Sequence, residues 1–367
     1  MESSGAIGIL GGYGAVGSSV VRRLHQADIG PLLVGGRDPS RAGALIASLR
    51  HRRGTASVRA EAVDLWSASL DSFLSRCRLV VNCAGPSYRV LDTVARAALR
   101  HGVDYVDAAG DDPLHARLTA DGGGADAWTA AARIALISAG ALPGLSGLLP
   151  RVLLEPAAEP VRLEGYVGGV AALTPSAAGD VLLARGPEHG TSSAAWKDGA
   201  IRDRALKPRR DLRLPAFPRP VAAFPYLSTE AARLAETTGI RRLHWYTVFG
   251  GTRLAEELAM AWALDTADTA DTAELVRAAD EDVRRHGSWY GQEFRLWNGT
   301  DDGPPTRTHT LRAEDSYELS GFLAATAAQH VLAGHVKPGV HYAADALDPQ
   351  STATALAADP VAELEMT

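Results

Sequence analysis

The stretch Gly11-Gly12-Tyr13-Gly14-Ala15-Val16-Gly17 decides how this chain is read. It follows the apolar run Ala6–Leu10, which reads as a short buried strand, and it opens Val16–His25, which reads as a helix. A strand, a glycine turn and a helix form the context in which G-x-G-x-x-G holds a dinucleotide. Gly12 permits the tight turn, Gly14 lets the backbone approach a pyrophosphate, and Gly17 lets the helix pack against the strand. Tyr13, Ala15 and Val16 complete the loop. The helix start offers free N–H groups and partial positive charge to phosphates.

Working outward, strand and helix signals alternate. Pro31–Val34, Val58–Val63, Leu79–Cys83, Tyr105–Ala108 and Ile134–Ser138 read as strands. Arg41–Leu49 and Val90–Arg100 read as helices, and Trp128–Arg133 closes another. Such alternation means a parallel sheet with helices on both faces. The fold class is α/β, with a doubly wound Rossmann domain over residues 1–150. Asp121-Gly122-Gly123-Gly124 reads as a surface loop. Ile134–Pro150 is uncharged but glycine-rich and too short to span a bilayer, so it reads as a buried strand and a turn.

The texture changes after Pro150. Val161–Val170, the aromatic Leu243–Phe249, Phe294–Trp297 and Thr308–Ala313 read as strands, and Leu254–Leu264 as a helix. The Asp-Thr-Ala triplets from Asp265 to Ala273 read as an exposed connection. Residues 151–310 are expected to form a second, mixed α/β domain. Residues 311–348 are expected to hold a long, weakly polar helix, Ser316–Ala333. The tail 349–367, Ala-rich from Thr352, is expected to lack order.

Bulk properties agree. The chain has 367 residues, beyond the roughly 250–300 at which a single core stops growing. Net charge is −6, which argues against nucleic-acid partners. The two cysteines, Cys77 and Cys83, form no CxxC pair, and no His/Cys set has metal spacing. Without a basic n-region at Met1–Gly5, the expected location is cytoplasmic, with no membrane span.

The end of the second strand selects the cofactor. An acid there would favour NAD. The chain has Gly35-Gly36-Arg37-Asp38-Pro39-Ser40-Arg41 instead. Gly36 ends the strand, Arg37 is suited to meet a 2′-phosphate and to stack on adenine, and Ser40 and Arg41 lie close by, so NADP(H) is expected. Asp38 dissents, unless it caps the helix that Pro39 starts.

Asp64 and Leu65 end the third strand, where adenine lies in such sheets. Asp64 is either a cofactor contact or a helix cap. Asn82-Cys83-Ala84-Gly85-Pro86 ends the fourth strand at the carboxyl edge, where ligands collect. Cys83 has no neighbour in sequence that would activate it. Ala108 closes the expected cofactor contacts. Tyr88 is either a proton donor or an ordinary half-buried tyrosine. Asp107 is expected to orient a nicotinamide ribose or hold an iminium cation. Asp111 reads as a helix cap. His189 and Thr191 lie in a polar, glycine-containing loop that either faces substrate or solvent. His244-Trp245-Tyr246 alternates in a strand and reads as packing. Arg185, Arg202, Arg204 and Arg295 are available for carboxylates.

Residues 11–17, Gly36-Arg37-Asp38, Val81–Pro86, Asp104–Asp111 and Gly140-Ala141-Leu142-Pro143-Gly144-Leu145-Ser146 together resemble the saccharopine dehydrogenase/reductase-like family. Asp315–Ser320 and Lys337–Ala343 are similar too. The resemblance is dense over 1–150, thin over 150–305 and returns over 306–348. It implies an NADP-dependent oxidoreductase and a second domain with substrate and homodimer contacts. It also implies a C-terminal helix that returns to the first domain. Members reduce an imine formed from an amine and a carbonyl compound; broader relatives act on other double bonds. One departure stands out. Leu142 replaces an acidic residue usual in saccharopine reductases, which points away from strict saccharopine chemistry and toward a less polar substrate.

Overall fold

The computed structural model describes residues 5–50, 52–120, 124–154, 160–184, 186–263, 272–299 and 303–367. The loop expected at 121–124 lies outside the described residues except for Gly124. Arg185 lies outside them too, as do residues 265–271 of the Asp-Thr-Ala run.

In chain order, the first part comprises β1 (Ala6–Leu10), α1 (Ala15–Gln26), β2 (Leu32–Gly36), α2 (Ala42–Leu49), β3 (Val58–Ala62), α3 (Ala68–Leu74), β4 (Cys77–Asn82), α4 (Ser87–Val90), α5 (Thr93–Arg100), β5 (Asp104–Asp107), α6 (Asp112–Thr119), α7 (Gly124–Ala130) and β6 (Ile134–Ile137). The middle part comprises α8 (Leu145–Leu154), β7 (Pro160–Val170), α9 (Pro175–Leu183), β8 (Gly190–Ser192), β9 (Ala195–Lys197), β10 (Ala200–Arg202), β11 (Arg209–Leu212), β12 (Val221–Ser228), α10 (Thr229–Thr238), β13 (Arg242–Phe249), α11 (Arg253–Ala263), α12 (Thr272–His286), β14 (Trp289–Asn298) and β15 (Arg307–Ala313). The last part comprises α13 (Ser316–Leu332), β16 (Gly339–Tyr342), α14 (Ala343–Ala346), α15 (Pro349–Ala357) and β17 (Glu363–Met366).

Two compact units result. The first holds Met1–Leu145 and Tyr317–Asp348; the second holds Ser146–Ser316 and Pro349–Thr367. The first unit is a seven-stranded sheet in the order β16-β6-β5-β4-β1-β2-β3. Every pairing in it is parallel. Its strands are short apolar runs because both faces are covered. Ile7, Val34, Leu79, Val81 and Val106 are fully buried. The chain reverses direction of winding at β1, so the carboxyl ends of β1 and β4 flank the switch point where ligands bind in open α/β sheets.

The returning helix is α13, and it belongs to this unit. It packs so closely on α1 that a Cβ at Gly321 would lie 2.3 Å from the Ser19 side chain. Ser19 Oγ donates to Glu318 at 2.7 Å, Arg22 pairs with the same carboxylate, and Arg23 lies over the Phe322 ring. The nucleotide-loop helix is thus braced along its flank by residues about 300 positions away in sequence.

The second unit is a ten-stranded mixed sheet built on β10-β9-β13-β7-β14-β15-β17, with β8, β11 and β12 joined through β12. β7 is parallel to β13 and antiparallel to β14. The fold class expected from sequence therefore holds: a Rossmann unit and a second mixed α/β unit. Three expectations need correcting. Ile134–Pro150 is not a strand and a turn alone, because α8 begins at Leu145 and carries Pro150 inside it. The tail is ordered: α15 buries Thr352, Ala353 and Leu356, and β17 pairs with β15. The single helix expected at Val90–Arg100 is split, because Leu91 takes a positive φ of 45° between α4 and α5. Among the described residues, no helix is long and apolar enough to cross a membrane, and no group of His, Cys, Asp and Glu could hold a metal.

Candidate dinucleotide site

The loop between β1 and α1 needs glycine for reasons that differ by position. Gly11 has φ +68°, and a Cβ at Gly17 would lie 2.3 Å from the Gly11 carbonyl oxygen and 2.6 Å from Gly12 Cα. Both neighbours are backbone and cannot yield. A Cβ at Gly14 would meet only the Gly11 oxygen, at 3.0 Å, within 4 Å. One side of the loop is therefore open at Gly14. Gly14 is also the N-cap of α1, with no side-chain cap and no acidic residue in the first turn. The leading amides of a helix have no intrahelical acceptor, and a pyrophosphate would satisfy them. Loop and helix fit that group.

The neighbouring edge is set by Tyr13. A Cβ at Gly36 would fall 2.4 Å from the Tyr13 ring, so that ring lies on the bare Gly36 backbone. The Tyr13 hydroxyl accepts from the Asp38 amide at 3.0 Å, and the Arg41 guanidinium stands 5.2 Å from the ring centre. Asp38 takes the capping role. Its carboxylate accepts from the Ser40 amide at 3.0 Å and from the Ser40 hydroxyl. The hydroxyl bond, helped by the Ser40 amide and the Arg41 charge, lowers its pKa although burial opposes this. The acid that follows Arg37 is therefore spent on its own turn. Arg37 is exposed and has no hydrogen-bond or ion-pair partner among the described residues.

Asp64 is not the helix cap; Ser67 caps α3. Asp64 instead accepts from the Trp66 amide at 3.0 Å through its carboxylate, and its own amide donates to Ser69 Oγ at 2.9 Å. Leu65 packs against the core of the first unit.

At the carboxyl ends of β4 and β5 the structure corrects the role expected of Asp107. This carboxylate is 3% exposed. It accepts from Asn82 Nδ2 at 2.9 Å, the Tyr105 hydroxyl, the Ala109 amide at 2.9 Å and the Gly110 amide at 2.7 Å. Neutral donors occupy both oxygens, which leaves no lone pair directed at a reacting group. Asp107 and Asn82 are positioning residues. Asn82 also accepts from the Ala84 amide through Oδ1 at 3.2 Å, and its carbonyl accepts from the Ala108 amide at 3.1 Å. Together they shape the segment Cys83-Ala84-Gly85-Pro86 that leads into α4. Burial, and then the Asp107 charge, push the Cys83 thiol far above its ordinary range, so it is no nucleophile.

Asp111 starts α6 without a side-chain cap bond. The cap expected there is absent because the carboxylate serves Tyr88, whose hydroxyl donates to Asp111 Oδ2 at 3.0 Å. Beside it, the Tyr342 hydroxyl donates to Asp112, and His115 stacks on the Tyr342 ring with centroids 4.6 Å apart. Sequence reading missed Tyr105 and Tyr342. Tyr105 was findable, because residues two apart in β5 share a face. Tyr342 was not, lying 230 positions from Asp112.

The second unit holds its own polar cluster. Glu164, 5% exposed, accepts from the Tyr166 hydroxyl at 2.8 Å, from Arg209 at 3.2 Å and from His244 Nδ1 at 3.3 Å. His244 is thus more than packing, whereas Tyr246 stacks on Tyr166 beneath the Arg209 guanidinium and Trp245 packs against Phe294. Arg295 is paired with Glu293 at 2.6 Å, and Arg202 and Arg204 are exposed. His189 is buried, and Thr191 lies in β8 paired with Leu227 of β12. The solvent-loop reading of these two residues is overturned.

Residues 7–125 match the model of the saccharopine dehydrogenase NADP binding domain. A solved structure of saccharopine dehydrogenase (L-Glu forming) from Saccharomyces cerevisiae aligns over 99% of this chain and 99% of its own, at 16% identity and TM-score 0.68. GenD2 from gentamicin A biosynthesis, solved in complex with NAD, aligns over 100% of this chain and 97% of its own, at 12% identity and TM-score 0.48. No curated protein matches the chain by sequence.

Proposed function

We propose that this chain, whose residues 7–125 are a saccharopine dehydrogenase-type NADP-binding domain, is an NADPH-dependent oxidoreductase that reduces the C=N bond of an imine formed from an amine and a carbonyl compound. The observation that carries the reading is the Tyr88 hydroxyl, hydrogen-bonded to Asp111 at 3.0 Å beside the dinucleotide edge of the sheet. When bound, the nicotinamide supplies the hydride to the imine carbon. The chain's residues bind and orient. Gly12, Gly14 and Gly17 admit the pyrophosphate, and Asp107 and Asn82 hold the edge in shape. Tyr88 gives its proton to the imine nitrogen as the hydride reaches the carbon, leaving a phenolate that is reprotonated from solvent; Asp111, by accepting from the hydroxyl, fixes where it stands.

Preference for NADP over NAD rests on Arg37. With Asp38 turned into its own cap, a ribose 2′-hydroxyl has no carboxylate to meet, while a 2′-phosphate meets a guanidinium. His189 and Thr191 are proposed to contact substrate. A cytoplasmic homodimer belongs to the same reading.

One observation favours a second acceptor. Leu142 is 48% exposed in the turn before α8, and an apolar side chain there suits a C=C or C=O bond on a less polar metabolite. The test is NADPH oxidation with panels of amine plus 2-oxo acid against panels of enones and ketones. Turnover confined to the amine panel, lowered about a hundredfold in Tyr88→Phe with NADPH affinity kept, is expected. Turnover with enones or ketones alone moves the reading to the second acceptor. Arg37→Ala is expected to weaken NADPH about tenfold and leave NADH unchanged, a cost of about 1.4 kcal/mol. Equal weakening of both would end the NADP assignment.

A further inference from the structure

We propose that Trp66 is the adenine platform of the dinucleotide site, its indole stacking on the base. The proposal rests on the reading above that this site takes NADP(H), and it names a residue that the glycine loop does not predict. Trp66 is 65% exposed, more than any other large hydrophobic side chain described. Burying an aromatic ring of this size is worth far more than leaving it in water, so its exposure calls for an explanation. Its ring has no aromatic or cationic partner among the described residues.

The position is fixed from both sides. Leu65, one residue earlier, is half-buried and packs against the core. The Trp66 amide is tied to Asp64 Oδ1 at 3.0 Å, Ser67 caps α3, and Ser69 Oγ holds the Asp64 amide at 2.9 Å. With Leu65 turned in and this short loop hydrogen-bonded to itself, Trp66 has one place to go, which is outward at the carboxyl end of β3. That end adjoins the end of β2. Gly36 is in register with Ala62, and the Val63 amide donates to the Gly36 carbonyl at 3.0 Å. Arg37 follows β2 directly and Trp66 comes four residues after Ala62, so both stand beyond the adjoining carboxyl ends of β2 and β3. The pair matches what the adenosine 2′-phosphate half of the cofactor presents: an indole face for the flat base and a guanidinium for the phosphate dianion. Base stacking on an aromatic side chain tolerates any base and depends on the ring being present. Arg37 then selects the phosphate and Trp66 holds the base.

The test uses 2′,5′-ADP, which carries this half alone, with calorimetry on the full chain. Trp66→Ala is expected to weaken 2′,5′-ADP about tenfold and Trp66→Phe less than threefold, because a smaller ring still stacks. Binding of 2′,5′-ADP should also quench indole emission in the native protein, and that quench should vanish in Trp66→Phe. An exposed residue on a short loop can be replaced without loss of fold, which circular dichroism verifies. If native protein binds 2′,5′-ADP and Trp66→Ala binds it equally, the platform assignment is overturned. Equal weakening in both variants overturns stacking as its cause. If native protein binds neither 2′,5′-ADP nor NADPH, it is the underlying cofactor reading that fails.

Discussion

Asp107 in the first unit and Glu164 in the second are both buried carboxylates, and the chain balances them in opposite ways. Asp107 is surrounded by neutral donors: one amide side chain, one phenol and two backbone N–H groups. Glu164 is surrounded by a phenol, an imidazole and two guanidinium groups, Arg209 and, at 3.8 Å, Arg162. Dipoles satisfy hydrogen bonds without cancelling charge, so the field of Asp107 persists. It adds to burial in raising the Tyr105 hydroxyl and the Cys83 thiol. Around Glu164, burial alone would raise the carboxyl. The His244 bond, the Arg209 charge and the Tyr166 bond outweigh it and hold the pKa to about 2. The first arrangement shapes a backbone edge with fixed polarity, whereas the second clamps strands β7, β11 and β13 together. Two buried acids of like exposure therefore do different work, and the partners, not the burial, decide which.

The sharpest way to break this contrast is Glu164→Ala. It strands the Arg209 guanidinium among Tyr166 and Tyr246, and a loss of about 3 kcal/mol in chemical denaturation is expected. Adding Arg209→Met should recover much of that loss. If the double variant is no more stable than the single one, the cluster is not an ion-pair clamp. Asp107→Asn comes next. An amide cannot accept from all four donors, so about 2 kcal/mol should be lost, and NADPH affinity should fall because the β4 and β5 ends relax. Unchanged affinity would show that Asp107 does not shape the cofactor edge. The smallest effect is on acid stability. The folded pKa of Glu164 lies below the ordinary glutamate value of 4.5. Its stabilisation is therefore complete above that value and is lost as pH falls toward about 2. Between pH 6 and pH 3.5 the native protein should lose roughly 1 kcal/mol that Glu164→Gln does not lose. Parallel acid curves for the two proteins would remove Glu164 from that role.

Much of the first unit was readable because its signals are local. Apolar strands of four to six residues, glycine turns and caps act within a few positions. The misses have physical causes too. α3 (Ala68–Leu74) is short and serine-rich, so its periodicity is weak. α8 is nearly all apolar, and an apolar run is ambiguous between strand and helix. β17 is short and mostly exposed, and it is a strand only because β15 offers an edge to pair with. Asp111 read as a cap because acids before a helix usually are; Tyr88 claimed its carboxylate instead.

The sequence by itself determined the glycine loop, the parallel Rossmann sheet and the cation at the end of β2. Each of these depends on backbone freedom or side-chain type at fixed short spacings. Only the tertiary structure decided which acids remain available. Asp38 is consumed two residues away, Asp107 by donors from β4, from β5 and from the turn after it, and Glu164 by a phenol two residues on and by groups 45 and 80 positions distant. A carboxylate's role is set by what surrounds it, and for these last two adjacency in the chain supplies part of the surroundings, while folding adds Asn82 to Asp107 and Arg209 and His244 to Glu164.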